Sequence, residues 1–247
     1  MWKQVKIMLK KNNFAICVPL TGSDQETLFE EIDAAMAGKP DFLEWRRDYY
    51  TENDTEKEQA VLEKLKACEA EVIYTFRATA EGGMGAGDDE ERLKAIRRCV
   101  QMKSVDYVDI ELDSEAEFFE NVITAVKKAD CGLLLSHHHF EGAYTMEETV
   151  EILRRMEVAG ADVLKLAVTP PDKEALRQEI IAVQNYGLAS MKPVVLIAMG
   201  ELGRVTRIVP ELLGGSLTYA AGQTGTAPGQ MSIEAIRKAR QDLGVGE

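Results

Sequence analysis

Cysteine is scarce in this chain, and no two cysteines stand close. Cys17, Cys68, Cys99 and Cys131 include no CxxC pair, which excludes a disulfide framework or zinc ribbon and fits a reducing compartment. Histidine is rarer still: three residues, all in the run His137, His138, His139. Basic residues are in deficit, 29 Lys and Arg against 42 Asp and Glu for a net charge of −13. That balance excludes a nucleic-acid partner or an anionic membrane surface. An anionic ligand would need a local arginine working against the global field. No apolar run approaches the ~18 residues of a membrane span. Lysines interrupt the apolar stretches of the opening MWKQVKIMLKK, so this segment does not read as a signal peptide. The expectation is a soluble, cytoplasmic protein. Nucleotide-loop signatures are missing as well. In EGGMGAGDD, Asp88 stands where GxGxxG needs its third glycine, and no Gly-Lys-Ser/Thr follows. The segment reads as a flexible loop carrying Glu81.

What is present is a rhythm. Short apolar runs rich in β-branched residues occur at 14–19, 42–46, 72–77, 107–112, 132–137, 162–168, 194–199 and 217–220. Helical patterns fill the intervals near 24–37, 55–68, 89–102, 115–128, 146–159, 172–187, 203–213 and 232–243. Capping boxes open two of them, Ser23 with Glu26 and Thr145 with Glu148, and Gly38, Gly160 and Gly187 stand at expected helix ends. Strands alternating with single helices imply right-handed βαβ units and a parallel sheet. The 247 residues match the ~250 of a (β/α)8 TIM barrel. With no linker or low-complexity tract, the expectation is one barrel domain over 1–247; an open doubly wound sheet is the alternative. Residues 1–11 are expected to form a short hairpin closing the barrel's bottom.

Polar residues intrude on five consecutive strands. Glu44 and Arg46 share a face of the second, Arg77 ends the third ahead of Glu81, and Asp109 and Glu111 share a face of the fourth. The fifth ends in the three histidines. The sixth holds Lys165 among Val163, Leu164, Leu166 and Ala167. A lysine so buried tends to lose its proton and can then attack a ketone to form a Schiff base. Alternatively it pairs with an inward acid such as Asp109 or Glu111. His138 shares a face with Ser136, which suits a crowded interior, and is the candidate acid–base. His137 and His139 are expected to face away. Three adjacent strand residues cannot converge on one ion and no HExxH accompanies them, so no metal is expected. The stretch AGQTGTAPGQMS, with Thr226 and Gln230, reads either as a mobile lid or as a plain surface loop.

Together LEWRRD, TFRATAEGG, DIEL, SHHHF, LKLAV, the TRI of GRVTRIVPELLG and TAPGQ resemble the type I 3-dehydroquinate dehydratases, the Schiff-base enzymes of the shikimate pathway. The motifs keep the family's order and run from the second strand to the last helix. The resemblance implies a dimeric (β/α)8 barrel that dehydrates 3-dehydroquinate without cofactor or metal. By the same resemblance, Lys165 would form the imine and His138 would act as acid–base with Glu81 as its carboxylate partner. Glu44, Arg46 and Arg77 would meet the ring hydroxyls. Arg207 would hold the substrate carboxylate, with Thr226 and Gln230 closing from the lid and Met199 packing near the imine. The chain departs from the pattern at His137 and His139, where Asn and Asp are common, and at Thr226, where Ser is frequent. Two other functions fit the residues: a Schiff-base aldolase on the same barrel, which would need a phosphate site, and a catalytically silent barrel that binds a small acid.

Overall fold

The structure, a computed structural model, describes residues 9–85, 87–222 and 225–245. Among the described residues, eight strands alternate with eight α-helices. They are β1 (Ile16–Leu20), α1 (Gln25–Ala37), β2 (Phe42–Arg46), α2 (Thr55–Ala67), β3 (Glu71–Thr75), α3 (Asp89–Gln101), β4 (Tyr107–Glu111) and α4 (Ala116–Ala129). The second half comprises β5 (Gly132–His139), α5 (Met146–Val158), β6 (Val163–Val168), α6 (Lys173–Ala189), β7 (Val194–Ala198), α7 (Arg204–Ile208), β8 (Thr218–Tyr219) and α8 (Ile233–Leu243). All neighbours pair in parallel in the order β7-β6-β5-β4-β3-β2-β1-β8. The sheet thus curls into a nearly closed (β/α)8 barrel whose seam lies between β7 and β8.

Period-2 alternation sorts each strand between two cores. Outward residues such as Leu43, Trp45, Val72, Tyr74, Leu135, Leu164 and Leu166 pack against the helices. Inward residues at the strands' amino ends, among them Phe42, Ile73, Tyr107, Leu134 and Val163, fill the barrel's lower interior together with Leu9. Two residues further along, the inward positions turn polar: Glu44, Thr75, Asp109, Ser136 and Lys165 are all buried. Register sets these side by side, Thr75 opposite Asp109, Glu111 opposite Ser136 and Ser136 opposite Lys165. A polar floor therefore lies on an apolar plug, at the carboxyl end where (β/α)8 sites are built.

Several local expectations change. Asp24, not Ser23, caps α1: its extended backbone (φ −147°) aims the carboxylate at Thr27 N, 2.8 Å away, while Ser23 donates to Asp24. An ionised acceptor is the better partner for a helix N-terminus. The Thr145–Glu148 capping box is present. Gly187 lies inside α6, which continues to Ala189. The pattern over 203–213 splits into α7 and a 3₁₀ turn at Pro210–Leu213, because Pro210 offers no N–H and keeps Val209 out of the helical region. Of the expected hairpin, residues 1–8 lie outside the described residues; residues 9–11 form no strand, and Leu9 N donates to the Tyr107 hydroxyl.

Candidate active site

Lys165 stands at the centre of the floor. Its Nζ lies 3.0 Å from Asp109 Oδ2 and 3.2 Å from Glu44 Oε1, and 4.4 Å above the Tyr219 ring centroid. The carboxylates beside it are thus Asp109 and Glu44, whereas Glu111 serves two arginines. Arg77 Nη1 reaches Glu111 Oε1 at 3.0 Å and Ser136 Oγ at 2.6 Å, its Nη2 reaches Asp109 Oδ2 at 2.8 Å, and Arg92 pairs with Glu111 from α3. Thr75 and Tyr219 donate to Glu44 Oε1. Three cations (Lys165, Arg77, Arg92) therefore face three carboxylates (Glu44, Asp109, Glu111). Burial opposes ionisation of Asp109, but Arg77 and Lys165 outweigh it and hold the carboxyl below the usual range. Arg77 and Arg92 do the same for Glu111 against its burial. Removing any one charge would strand its partner in a dry interior.

Above this floor, His138 and Glu81 meet. Glu81 Oε2 accepts from His138 N at 3.0 Å and lies 2.8 Å from His138 Nδ1. The loop holding Glu81 is not the loose segment its glycines suggested. Thr79–Glu81 is a 3₁₀ turn closed by Gly82 in the left-handed region (φ 81°), and a Cβ on Gly83 would sit 2.1 Å from Arg77 O. Ala78 N donates to Glu111 Oε1, tying the turn to the floor. Burial drives the Glu81 carboxyl up to about 7 despite the pull of Arg77. Burial, reinforced by Arg77 and Lys165, pushes His138 well below its ordinary value, so its imidazole is neutral near pH 7. Where Glu81 is ionised it only accepts, so Nδ1 then carries the proton and Nε2 keeps its lone pair. His137 does not simply face away: its Nδ1 comes within 3.8 Å of Glu81 Oε1.

At the rim, Arg46 is held in a bidentate pair by Asp48, at 2.8 and 2.7 Å, with its guanidinium over the Tyr49 ring. Met199 is buried at the carboxyl end of β7. Arg207 is buried at the seam, donating to Tyr219 O at 3.1 Å and Pro228 O at 3.3 Å. Its Nε has no partner among the described residues, and burial alone lowers the guanidinium to about 10. Arg77, Arg92 and Arg46 have carboxylates; among the described residues Arg207 is paired only with carbonyls. Thr226 and Gln230, which showed no partner in the sequence, prove to be each other's: Gln230 Oε1 accepts from Thr226 N (2.6 Å) and Ala227 N (3.2 Å), and its Nε2 donates to Thr226 Oγ1 (2.9 Å). This knot closes the segment on itself, and Gly200 N donating to Pro228 O anchors it at the seam.

Sequence reasoning missed Asp48, Thr75, Arg92 and Tyr219 as parts of the site. Thr75 and Tyr219 sit at the inward spacing of their strands and could have been found by extending the alternation. Arg92 is one of many charges on α3 and carries no such signal.

A profile described as "Type I 3-dehydroquinase" matches residues 16–247. A 3-dehydroquinate dehydratase from Aromatoleum aromaticum is 34% identical over 226 residues, covering 90% of this chain and 87% of that protein. One from Enterococcus faecalis is 31% identical over 238 residues, covering 94% and 93%. Among solved structures, the Geobacillus kaustophilus 3-dehydroquinate dehydratase superimposes with a TM-score of 0.88 at 29% identity, covering 93% of this chain and 91% of that one. A Clostridium difficile type I 3-dehydroquinate dehydratase, described with covalently modified comenic acid, gives 0.86 at 26% identity, with coverage of 93% and 92%. With a profile match running from the first strand to the last residue, this chain belongs to the type I 3-dehydroquinase family.

Proposed function

We propose that the chain converts 3-dehydroquinate to 3-dehydroshikimate by a syn elimination through a Schiff base on Lys165. The observation that carries this reading is one buried amine on the barrel floor with a carboxylate-backed neutral imidazole above it on the neighbouring strand. The family's activity and the covalent ligand of the Clostridium difficile relative support it.

The geometry supports the following chemistry. The Lys165 ammonium gives up one proton and its Nζ adds to the ring ketone; that proton is returned to the carbonyl oxygen, which leaves as water, and a cationic iminium remains. That cation acidifies the adjacent carbon, because the electron pair left by a departing proton delocalises onto nitrogen. His138 Nε2 takes the proton and an enamine forms. The imidazolium then returns a proton to the β-hydroxyl, which leaves as water while the enamine electrons restore the iminium. Hydrolysis frees the product and Lys165. Glu81 holds Nδ1–H throughout and stabilises the transient imidazolium; acid–base assistance of this kind contributes ~10²–10⁴-fold. Arg207, lacking a carboxylate, is the natural fork for the substrate carboxylate. Glu44, Arg46 and Arg77 would contact ring hydroxyls, Met199 the imine, and Thr226 and Gln230 the closed pocket. The reading includes no cofactor and no metal. It places a single catalytic barrel over 1–247 in a cytoplasmic homodimer, whose mass light scattering would report.

The test is the ultraviolet absorbance of the conjugated product. The wild-type protein should generate it, and Lys165→Ala, folded by circular dichroism, should not. Normal turnover by that variant would refute the mechanism.

A further inference from the structure

The alternation of β5 sends His137 to the side opposite His138, yet its ring returns to the site. Nδ1 lies 3.8 Å from Glu81 Oε1 and 3.2 Å from Asp113 Oδ2, and Nε2 lies 2.8 Å from the Tyr144 hydroxyl. These partners fix the tautomer. A nitrogen facing two carboxylates carries a proton, so in the neutral ring Nε2 accepts from Tyr144 O–H. Tyr144 is itself held, its N donating to Glu179 Oε1 at 2.7 Å and its ring stacked on His139 with centroids 4.7 Å apart. Burial raises the phenol and keeps it a donor.

His137 Nδ1 is buried within ion-pair distance of both carboxylates and makes a well-formed hydrogen bond to neither. A buried donor in that state is costly, and a small shift of either carboxylate satisfies it. Asp113 is paired with Arg155 through Oδ1 and is 46% exposed, so water can satisfy its Oδ2, whereas Glu81 is 13% exposed. Among the described residues Glu81 Oε1 accepts no hydrogen bond, since both His138 bonds use Oε2. We propose that His137 is a positioning residue whose Nδ1–H closes onto Glu81 Oε1 and keeps that carboxylate charged and aligned on His138. This rests on the reading of Glu81 as the partner of His138. The cluster Tyr144–His137–Glu81–His138 then forms one continuous polar chain from the β5–α5 loop to the reacting centre.

The consequence is pH-dependent. Glu81 faces His137 and His138 from β5, Arg77 beyond β3, and Asp109 and Glu111 from β4; His137 additionally faces Asp113, Arg155, His139 and Tyr144. Taking away the His137 donor leaves the burial of Glu81 less opposed, so its protonation would extend to higher pH and the acidic limb of kcat would follow.

The experiment is the pH profile of kcat and KM for the full chain and for His137→Phe, His137→Asn, Glu81→Gln and the Phe–Gln double variant. His137→Phe should lower kcat roughly tenfold, the scale of one hydrogen bond to a charged group, with KM within about twofold. Its acidic limb should rise by about one pH unit. His137→Asn, whose amide supplies a donor, should restore most of the loss. In the Glu81→Gln background the Phe substitution should add nothing. Wild-type kcat and limb in His137→Phe, with Glu81→Gln impaired, would overturn the proposal alone. Additive losses in the double variant would overturn it too. Wild-type kcat in Glu81→Gln would instead remove the role of Glu81, and the positioning role with it.

Discussion

Glu81 is a carboxyl whose burial costs the fold something. Its value of about 7 in the folded protein compares with ~4.3 in an unfolded chain. Between those values the folded state holds a proton that the unfolded state has released. The destabilisation from this group therefore grows as pH rises from about 4.3 to 7 and is fully present above 7. Glu81→Gln should accordingly raise Tm at pH 7.5 while lowering kcat; an unchanged or lowered Tm would mean that the carboxylate is better compensated than its surroundings show. Arg207 is the second such residue. Arg207→Lys keeps a charge but loses the fork, so KM should rise about tenfold or more, on the ~1.5–3 kcal/mol scale of a charge-assisted hydrogen bond, with kcat changed less. A KM within twofold of wild type would place the substrate carboxylate elsewhere. At this scale the sequence was legible where chemistry contradicts location: Lys165 in an apolar strand and His138 beside Ser136 stand out without coordinates. Thr226 and Gln230 were opaque, because a bond between two polar side chains of one loop leaves no periodic trace.

Elements carry the site through turns as much as through strands. The strands were legible because inward and outward positions are both apolar over short runs, and a polar residue at every second position broke that run on one face only. Boundaries set by single competing groups were not legible: Asp24 displaced Ser23 as a cap, and Pro210 divided a helix that its apolar spacing suggested was whole. The turn after β3 gives a sharp test. Gly83→Ala would drive a Cβ to 2.1 Å from Arg77 O, forcing the backbone apart at a cost of ~1–3 kcal/mol and moving Glu81 off His138. Both Tm and kcat should fall; unchanged values would mean that the turn relaxes freely. Gln230→Ala removes the acceptor shared by Thr226 N and Ala227 N. Hydrogen exchange at those amides should accelerate and KM should rise several-fold, in line with loss of loop order, with little change in Tm. Unaltered exchange there would show that Pro228 and its anchor at Gly200 suffice.

Across the whole molecule, charge and site pull in opposite directions. The chain carries a net −13, and the cations of the floor are neutralised by Glu44, Asp109 and Glu111, so among the described residues of the site Arg207 alone has only carbonyl partners. An anionic substrate would be repelled on approach and gripped only on arrival, and added salt should raise kcat/KM modestly by screening the repulsion. The barrel itself was legible from rhythm and length, while its charge balance was not, because pairing depends on register between strands far apart in sequence. The central claim concerns one covalent bond. Incubation with 3-dehydroquinate and sodium borohydride, followed by intact-mass and peptide analysis, should find one reduced ligand per chain, located on Lys165 and absent in Lys165→Ala. A label on another lysine, or no added mass under turnover conditions, would contradict the account.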